Sequence, residues 1–317
     1  MKQNILLICP SFFGYEKRIY QTYASLGYNV TYINEKPNSL KDRYFRIINK
    51  SRIDSFYLKH EEKILNKIKN DFNYLIVIRS GYLSQNFYEK LYRKVTFGKK
   101  ILYEWDSVLY VNYVPLIPYF DKVYSFDKKD CESLCINYLP LFWTKEKIKG
   151  AYKKKSDIFF CGSMNADRQE ILLKILRHCK EKNMVLSIYL YTPITTLIKL
   201  LVQHKKKLPL SYLHLFKLSH KAFYKKCMQS RSVLDINTAN QCGLTMRTFE
   251  VISLNRFLFT TNKNIQKEKR IPSDRYSIID LLEEKQWDFS IKEFEVEESF
   301  LSYFSIEAWC KNIITSK

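Results

Sequence analysis

The chain is poor in the residues that interrupt regular structure. Seven glycines and eight prolines in 317 residues exclude a linker-rich or disordered protein. Histidine is scarcer still: five residues that form no cluster. The eight cysteines include no C-x-x-C pair. Cys131 and Cys135 are one helical turn apart, but no further ligand joins them, so no metal site is expected. The cysteines read as reduced thiols of a cytosolic protein. No apolar run approaches the roughly 18 residues of a membrane span. Ile5-Leu-Leu-Ile8 is too short for a signal-peptide core, and Glu16, Lys17 and Arg18 soon bring charge into the chain. Acidic residues are in deficit, 32 against 53 basic ones, for a formal net charge of +21. That balance suits nucleic acid or anionic lipid, or it reflects a lysine-rich background composition.

What is present is a globular α/β pattern. Apolar residues make up 46% and aromatics 15% of the chain, enough for a substantial core and most naturally two domains. Residues 4–9 read as a buried strand, 16–26 as a helix closed by Gly27, and 30–33 as a second strand. This opening is Rossmann-like, but its turn lacks G-x-G-x-x-G and announces no dinucleotide site. Gly14 and Glu16 in that turn either line a cleft where an acceptor enters or belong to a plain surface loop. Strands follow at 74–78, 100–103 and 122–126, with helices at 58–69, 86–93 and 128–135. Residues 36–55 interleave Arg43, Arg46, Lys50 and Arg52 with Tyr44 and Phe45, a pattern of a solvated loop that also suits single-stranded nucleic acid.

The strand at 100–103 leads into Glu104-Trp-Asp106-Ser107. Carboxyl ends of parallel strands collect ligands in α/β sheets, which places Asp106 either for chemistry or as a cap of the next helix. Glu104-x-Asp106 also imitates a D-x-D metal grip. The composition turns basic over 145–155, which marks a domain boundary. Beyond it a strand at 157–161 runs into Gly162, Ser163 and Asn165, then a helix from Arg168 to Glu181. Arg168 can approach a phosphate or pair with a carboxylate. Residues 193–207 and 212–226 carry leucines at helical spacing among lysines. Each reads as a basic amphipathic helix for a membrane interface, or as a helix covering a sheet.

The most informative stretch is Asp235–Ser253. A short buried strand ends near Ile236; a loop of small and amide residues runs from Asn237 through Asn240 to Gly243; a helix follows. Gly243 permits close backbone approach, and Gly243, Leu244 and Thr245 bring helix-start amides that attract an anion. Arg247 and Glu250, three apart, share a helix face. Arg247 suits a phosphate, and Glu250 suits a pair of ribose hydroxyls. A solvated Arg–Glu pair on an ordinary helix fits the same pattern.

The segment Gly243-Leu-Thr-Met-Arg-Thr-Phe-Glu250, with Phe257-Leu-Phe-Thr-Thr-Asn262, resembles the donor-binding segment of CgeB-like, group-1-like bacterial glycosyltransferases of capsule and lipopolysaccharide clusters. Trp105-Asp106-Ser107 and Asp157-Ile-Phe-Phe-Cys-Gly162-Ser163 with Arg168 resemble further segments of that family, in the same order. The resemblance implies the GT-B fold, two Rossmann-like α/β domains facing across a cleft. Residues 1–143 would form the acceptor-side domain, 144–299 the donor domain, and 300–317 a helix bracing the first. It implies a metal-independent transfer from a nucleotide-sugar donor to a polysaccharide or lipid-linked glycan acceptor, without cofactor. Gly162, Ser163, Arg168, Asn240, Gly243, Leu244, Thr245, Arg247 and Glu250 would bind the donor. Asp106 would be the catalytic base, with Gly14 and Glu16 on the acceptor side. The expected place is the cytoplasm, peripheral on the inner face of the membrane through anionic lipid, with nucleic acid not the partner. The competing readings are a nucleic-acid-binding protein and a catalytically inactive sugar-nucleotide or polysaccharide-binding homologue.

Overall fold

The structure is a computed structural model and describes residues 2–37, 42, 53–146, 152–203, 205, 207–237 and 241–315. Asn240 and the basic cluster Arg43, Arg46, Lys50 and Arg52 lie outside the described residues. Two compact units emerge, Met1–Leu141 with Ile306–Lys317, and Phe142–Ser305.

The first unit is built on β1 (Asn4–Ile8), β2 (Asn29–Ile33), β3 (Phe72–Ile78), β4 (Phe97–Glu104), β5 (Lys122–Ser125) and β6 (Asn137–Tyr138). They form one parallel sheet in the order β2-β1-β3-β4-β5-β6. Its helices are α1 (Tyr15–Ser25), α2 (Ile53–Lys67), α3 (Gln85–Lys94) and α4 (Lys128–Leu134). The central strand β3 carries Leu75-Ile-Val-Ile78 fully buried, because helices cover both faces of a parallel sheet and leave no solvent side for polar residues. Helix α3 starts where the Ser84 hydroxyl accepts from the Phe87 amide, and it ends on Arg93 and Lys94, complementing its dipole. The terminal helix Ile306–Thr315 belongs to this unit and packs on α1. Trp309 is its anchor, buried with its ring 4.8 Å from that of Tyr103.

The second unit repeats the plan with β7 (Ser156–Ser163), β8 (Leu186–Tyr191), β9 (Leu213–His214), β10 (Ser230–Asp235), β11 (Phe257–Thr260) and β12 (Tyr276–Ile278). The order is β12-β11-β10-β7-β8-β9, again parallel throughout. Its helices include α5 (Ala166–Glu181), α6 (Ile194–Val202), α7 (His220–Met228) and α8 (Met246–Ser253). Phe160, Leu172, Ile175, Leu234 and Phe259 form part of the core beneath α5. The chain builds outward from β7 through β8 to β9, then restarts beside β7 with β10 and builds the other way. Strands β7 and β10 therefore flank the topological switch point, where open α/β sheets bind ligands at their carboxyl ends.

The expected pair of Rossmann-like α/β units is present. One of the two lysine-rich stretches differs from expectation. Residues 212–226 do not form one helix: a 3-10 turn Leu210–Tyr212 precedes β9, and α7 starts only after Ser219, whose hydroxyl accepts from the Ala222 amide. Edge pairing of Leu213 with Leu190 and His214 with Tyr191 wins over the helical spacing. Helix α6 does form within 193–207; none of its residues is fully buried, and Leu197 and Leu200 are half-buried.

Candidate functional site

In the first unit the loops after β1, β3 and β4 gather the residues expected on the acceptor side. Gly14 sits at φ 83°, a left-handed conformation that glycine adopts without strain, and opens α1. Glu16 is buried; one carboxylate oxygen accepts from the Ser11 hydroxyl and the other from the Phe12 amide, both at 3.0 Å. Its carboxylate therefore shapes the β1–α1 turn. Asp106 Oδ2 accepts from Arg79 Nε at 2.8 Å, and the Asp106 side chain keeps 36% of its surface exposed. The next helical turn, Val114–Tyr119, starts from Tyr113, so Asp106 caps no helix. The Arg79 guanidinium also lies 5.2 Å from the centre of the Tyr82 ring. Arg79 was readable only as part of a turn, since its partner is 27 residues away.

Glu104 behaves differently from its neighbour. It is fully buried, and its Oε1 accepts from both the amide and the hydroxyl of Ser80. Burial pushes its carboxyl up to about 8, against the pull of the Ser80 hydrogen bonds and with a further push from Asp106. Glu104 and Asp106 thus take different partners, and the E-x-D spacing does not make a joint grip.

In the second unit the two segments nominated from sequence emerge from neighbouring strands. Strand β7 delivers Gly162 and Ser163, and Asn165 caps α5 by accepting from the Arg168 amide at 2.7 Å. A Cβ on Gly162 would meet Phe160 Cζ at 2.8 Å, closer than side chains tolerate, so this strand end needs glycine. Arg168 folds back across the turn. Its Nη1 donates to the Ser163 carbonyl at 2.5 Å, and its Nη2 donates to the Ile236 carbonyl at 3.3 Å, beyond the end of β10. One guanidinium thereby ties both loops of the switch point together.

Strand β10 delivers Asp235, buried at its carboxyl end. Asp235 Oδ1 accepts from Arg247 Nη1 at 2.6 Å, and Oδ2 accepts from the Thr245 hydroxyl at 3.1 Å. Because Thr245 turns to Asp235, its side chain does not cap α8. The helix start keeps its dipole toward the loop. Leu244 is buried, and Asn262 Nδ2 donates to the carbonyls of Gly243 at 3.1 Å and Cys242 at 3.3 Å. Asp235 and Asn262 are the organising residues that motif reading did not single out. A buried aspartate at a strand end is the signal that could have found the first.

The electrostatics favour an anion here. Burial pulls the Arg168 guanidinium down from its ordinary value, and the charge of Arg247 pulls it further. Burial works the same way on Arg247, but Asp235 overcomes it and holds that guanidinium up. Two guanidiniums are thus close enough to repel, with one carboxylate on one of them. The Nε atoms of both arginines are buried and have no hydrogen-bond partner among the described residues.

Glu250 has a partner outside its own helix. It is 2% exposed, and its Oε1 lies 2.6 Å from His220 Nε2 on α7. The other imidazole nitrogen, Nδ1, lies 2.8 Å from Glu146 Oε1. Glu250 is therefore an internal brace between α7 and α8. His220 is the middle of a carboxylate–imidazole–carboxylate chain.

No family model and no curated protein matches this chain in sequence. Solved structures do match. The UDP complex of MnaA from S. aureus superposes with a TM-score of 0.56 at 12% identity, over 99% of this chain and 95% of that one. The apo lipopolysaccharide outer core galactosyltransferase WaaB gives 0.57 at 11% identity, over 99% of both chains. A protein described as a UDP-N-acetylglucosamine 2-epimerase, from Listeria monocytogenes, gives 0.52 at 10% identity, over 100% of this chain and 96% of that one. The fold is GT-B. The likeness to CgeB-like transferases rests on sequence motifs. Among the described residues no helix is long and apolar enough to cross a membrane.

Proposed function

We propose that the chain is a GT-B glycosyltransferase that takes a sugar from a nucleotide-sugar and passes it to a surface polysaccharide or lipid-linked glycan. The observation that carries this reading is the switch point of the second unit. Two guanidiniums, Arg168 and Arg247, stand there with unsatisfied Nε–H donors beside a helix start. A donor diphosphate beside the two guanidiniums cancels the repulsion between them. As the bond to the anomeric carbon breaks, negative charge grows on the leaving diphosphate. Preorganised donors at that point stabilise the transition state more than the ground state. Gly162 and Gly243 let the backbone come close, and Asp235 fixes Arg247 in place. Glu250 and His220 enter as supports of α8 rather than as direct ribose ligands. The fold's likeness to a galactosyltransferase and to a protein solved with UDP supports a sugar-nucleotide ligand.

Asp106 on the first unit is proposed as the base for the acceptor hydroxyl, oriented by Arg79. Asp106→Asn keeps the shape and the hydrogen bond from Arg79 but takes up no proton at neutral pH. The variant is expected to lose transfer about 100-fold or more while its donor affinity stays unchanged. Near-normal turnover at saturating acceptor would remove Asp106 from the chemistry.

A second reading comes from the comparable likeness to the Listeria monocytogenes protein: the same seat would hold a UDP-sugar while the sugar itself is epimerised. Incubation of donor in deuterated water, first without and then with a glycan acceptor, separates the two. Deuterium on a sugar carbon supports epimerisation, and glycan extension without exchange supports transfer.

A further inference from the structure

Helix α6 is apolar and uncovered. Ile194, Ile198 and Leu201 recur at i, i+4 and i+7, one face of a helix, and with Val202 they are 45 to 72% exposed. The start of α6 and the loop after β9 leave the same end of the sheet, since the Thr192 amide donates to the His214 carbonyl at 2.7 Å. That loop carries Leu215 and Phe216, which is 81% exposed. The Tyr189 hydroxyl donates to the Phe216 carbonyl at 2.9 Å and fixes the loop backbone. A folded chain rarely leaves an aromatic and several aliphatic residues together in water without a partner for them.

The charge around this face names the partner. Residues 183–234 contain nine Lys or Arg and no Asp or Glu. At the chain's average of 32 acidic residues in 317, a stretch of 52 would hold about five. Lys199, Lys205 and Lys217 are exposed on or beside the face. A second copy of the same face would set like charges against each other across a twofold axis. RNA would engage the lysines but not the aliphatic stripe. An anionic bilayer satisfies both, with acyl chains for the apolar stripe and headgroups for the lysines.

We propose that α6 and the Phe216 loop form a docking face for an anionic lipid bilayer, with the apolar side chains entering the interface and Lys199, Lys205 and Lys217 meeting the headgroups. This goes beyond the catalytic reading and stands apart from it, because vesicle binding is read without donor, acceptor or turnover.

The test is flotation of the full chain with phosphatidylcholine vesicles, with and without phosphatidylglycerol, across a salt series. Three triple variants are compared: Ile198→Ser/Val202→Ser/Phe216→Ser, Lys199→Gln/Lys205→Gln/Lys217→Gln, and a remote control, Lys59→Gln/Lys69→Gln/Lys90→Gln. Wild type and control are expected to float with phosphatidylglycerol vesicles at low salt and far less with neutral ones. The lysine variant should bind more than about tenfold more weakly, since each lysine is worth roughly fivefold, or about 1 kcal/mol. The serine variant should lose about tenfold or more at every salt concentration, with an unchanged melting temperature because the replaced side chains face solvent. Should the triple serine variant not fold, Phe216→Ser alone carries the same expectation at smaller size. The proposal is overturned if wild type shows no preference for phosphatidylglycerol, or if both patch variants float like the control. It is also overturned if RNA displaces the protein while the serine variant keeps full RNA affinity, or if the serine change abolishes self-association in a chain that binds no vesicles.

Discussion

Glu104 shows how burial sets chemistry at a single residue. Its neighbour Asp106, two positions on, is paired and partly exposed, whereas Glu104 is held by Ser80 in the dry interior. A buried carboxyl held up to about 8 binds a proton in the folded chain that the unfolded chain has released above its ordinary value of 4.5. Below about 4.5 both states are protonated and the group is silent. Between about 4.5 and 8 the unfolded state binds fewer protons, so stability falls as pH rises, by up to about 1.4 kcal/mol per pH unit. Above about 8 the loss is complete. Glu104→Gln keeps the carbonyl acceptor for Ser80 and removes the titration. Its melting temperature is expected to exceed that of wild type at pH 8 and to match it near pH 4.5, by calorimetry at both pH values. An equal difference at both would mean that Glu104 does not titrate in this window.

At the scale of elements, the strands and their loops were legible and the side-chain partnerships were not. Apolar runs such as Leu75-Ile-Val-Ile78 and Phe257-Leu-Phe259 announce buried parallel strands because nothing else accommodates them. The loops after β7 and β10 were readable from glycine, amides and a following arginine. That they stand side by side was not readable, because strand order, and with it the switch point, is set by crossovers that no local pattern encodes. Glu250 has a partner that was not readable for the same reason. Its spacing from Arg247 predicts a shared face, yet His220, 30 residues earlier, claims it. The stretch 212–226 was misread because helical spacing in a short segment gave way to pairing at a sheet edge.

The His220 brace also yields a prediction at this scale. Both imidazole nitrogens face carboxylate oxygens, and the two helices α7 and α8 are joined through them. His220→Ala leaves Glu146 and Glu250 facing each other without the group between them. Removing one member of a buried charged chain typically costs about 3–5 kcal/mol, read as a lowered urea midpoint. A loss below about 1 kcal/mol would show that the contact behaves like a surface pair.

For the whole molecule, two parallel six-stranded units and a terminal helix returned to the first unit account for the burial pattern. Trp309 is 2% exposed and packs on Tyr103. Trp309→Ala is expected to destabilise the first unit by about 3–5 kcal/mol, seen in a denaturation curve. A change within about 0.5 kcal/mol would mean that the helix is an appendage.

The central claim, a nucleotide-sugar seat at the switch point of the second unit, is tested most directly by ligand-induced stabilisation. Melting temperatures would be taken with a panel of nucleoside diphosphates and their sugar conjugates, for wild type, Arg168→Ala and Arg247→Ala. Binding to the native state at about 100 times Kd adds roughly 2.7 kcal/mol of stability. Each lost charge-assisted contact costs about 1.5–3 kcal/mol, or roughly 10- to 150-fold in affinity. The account predicts that at least one nucleotide raises the wild-type melting temperature and that the shift largely disappears in both arginine variants. A panel that shifts nothing, or a shift that survives unchanged in both variants, would contradict it.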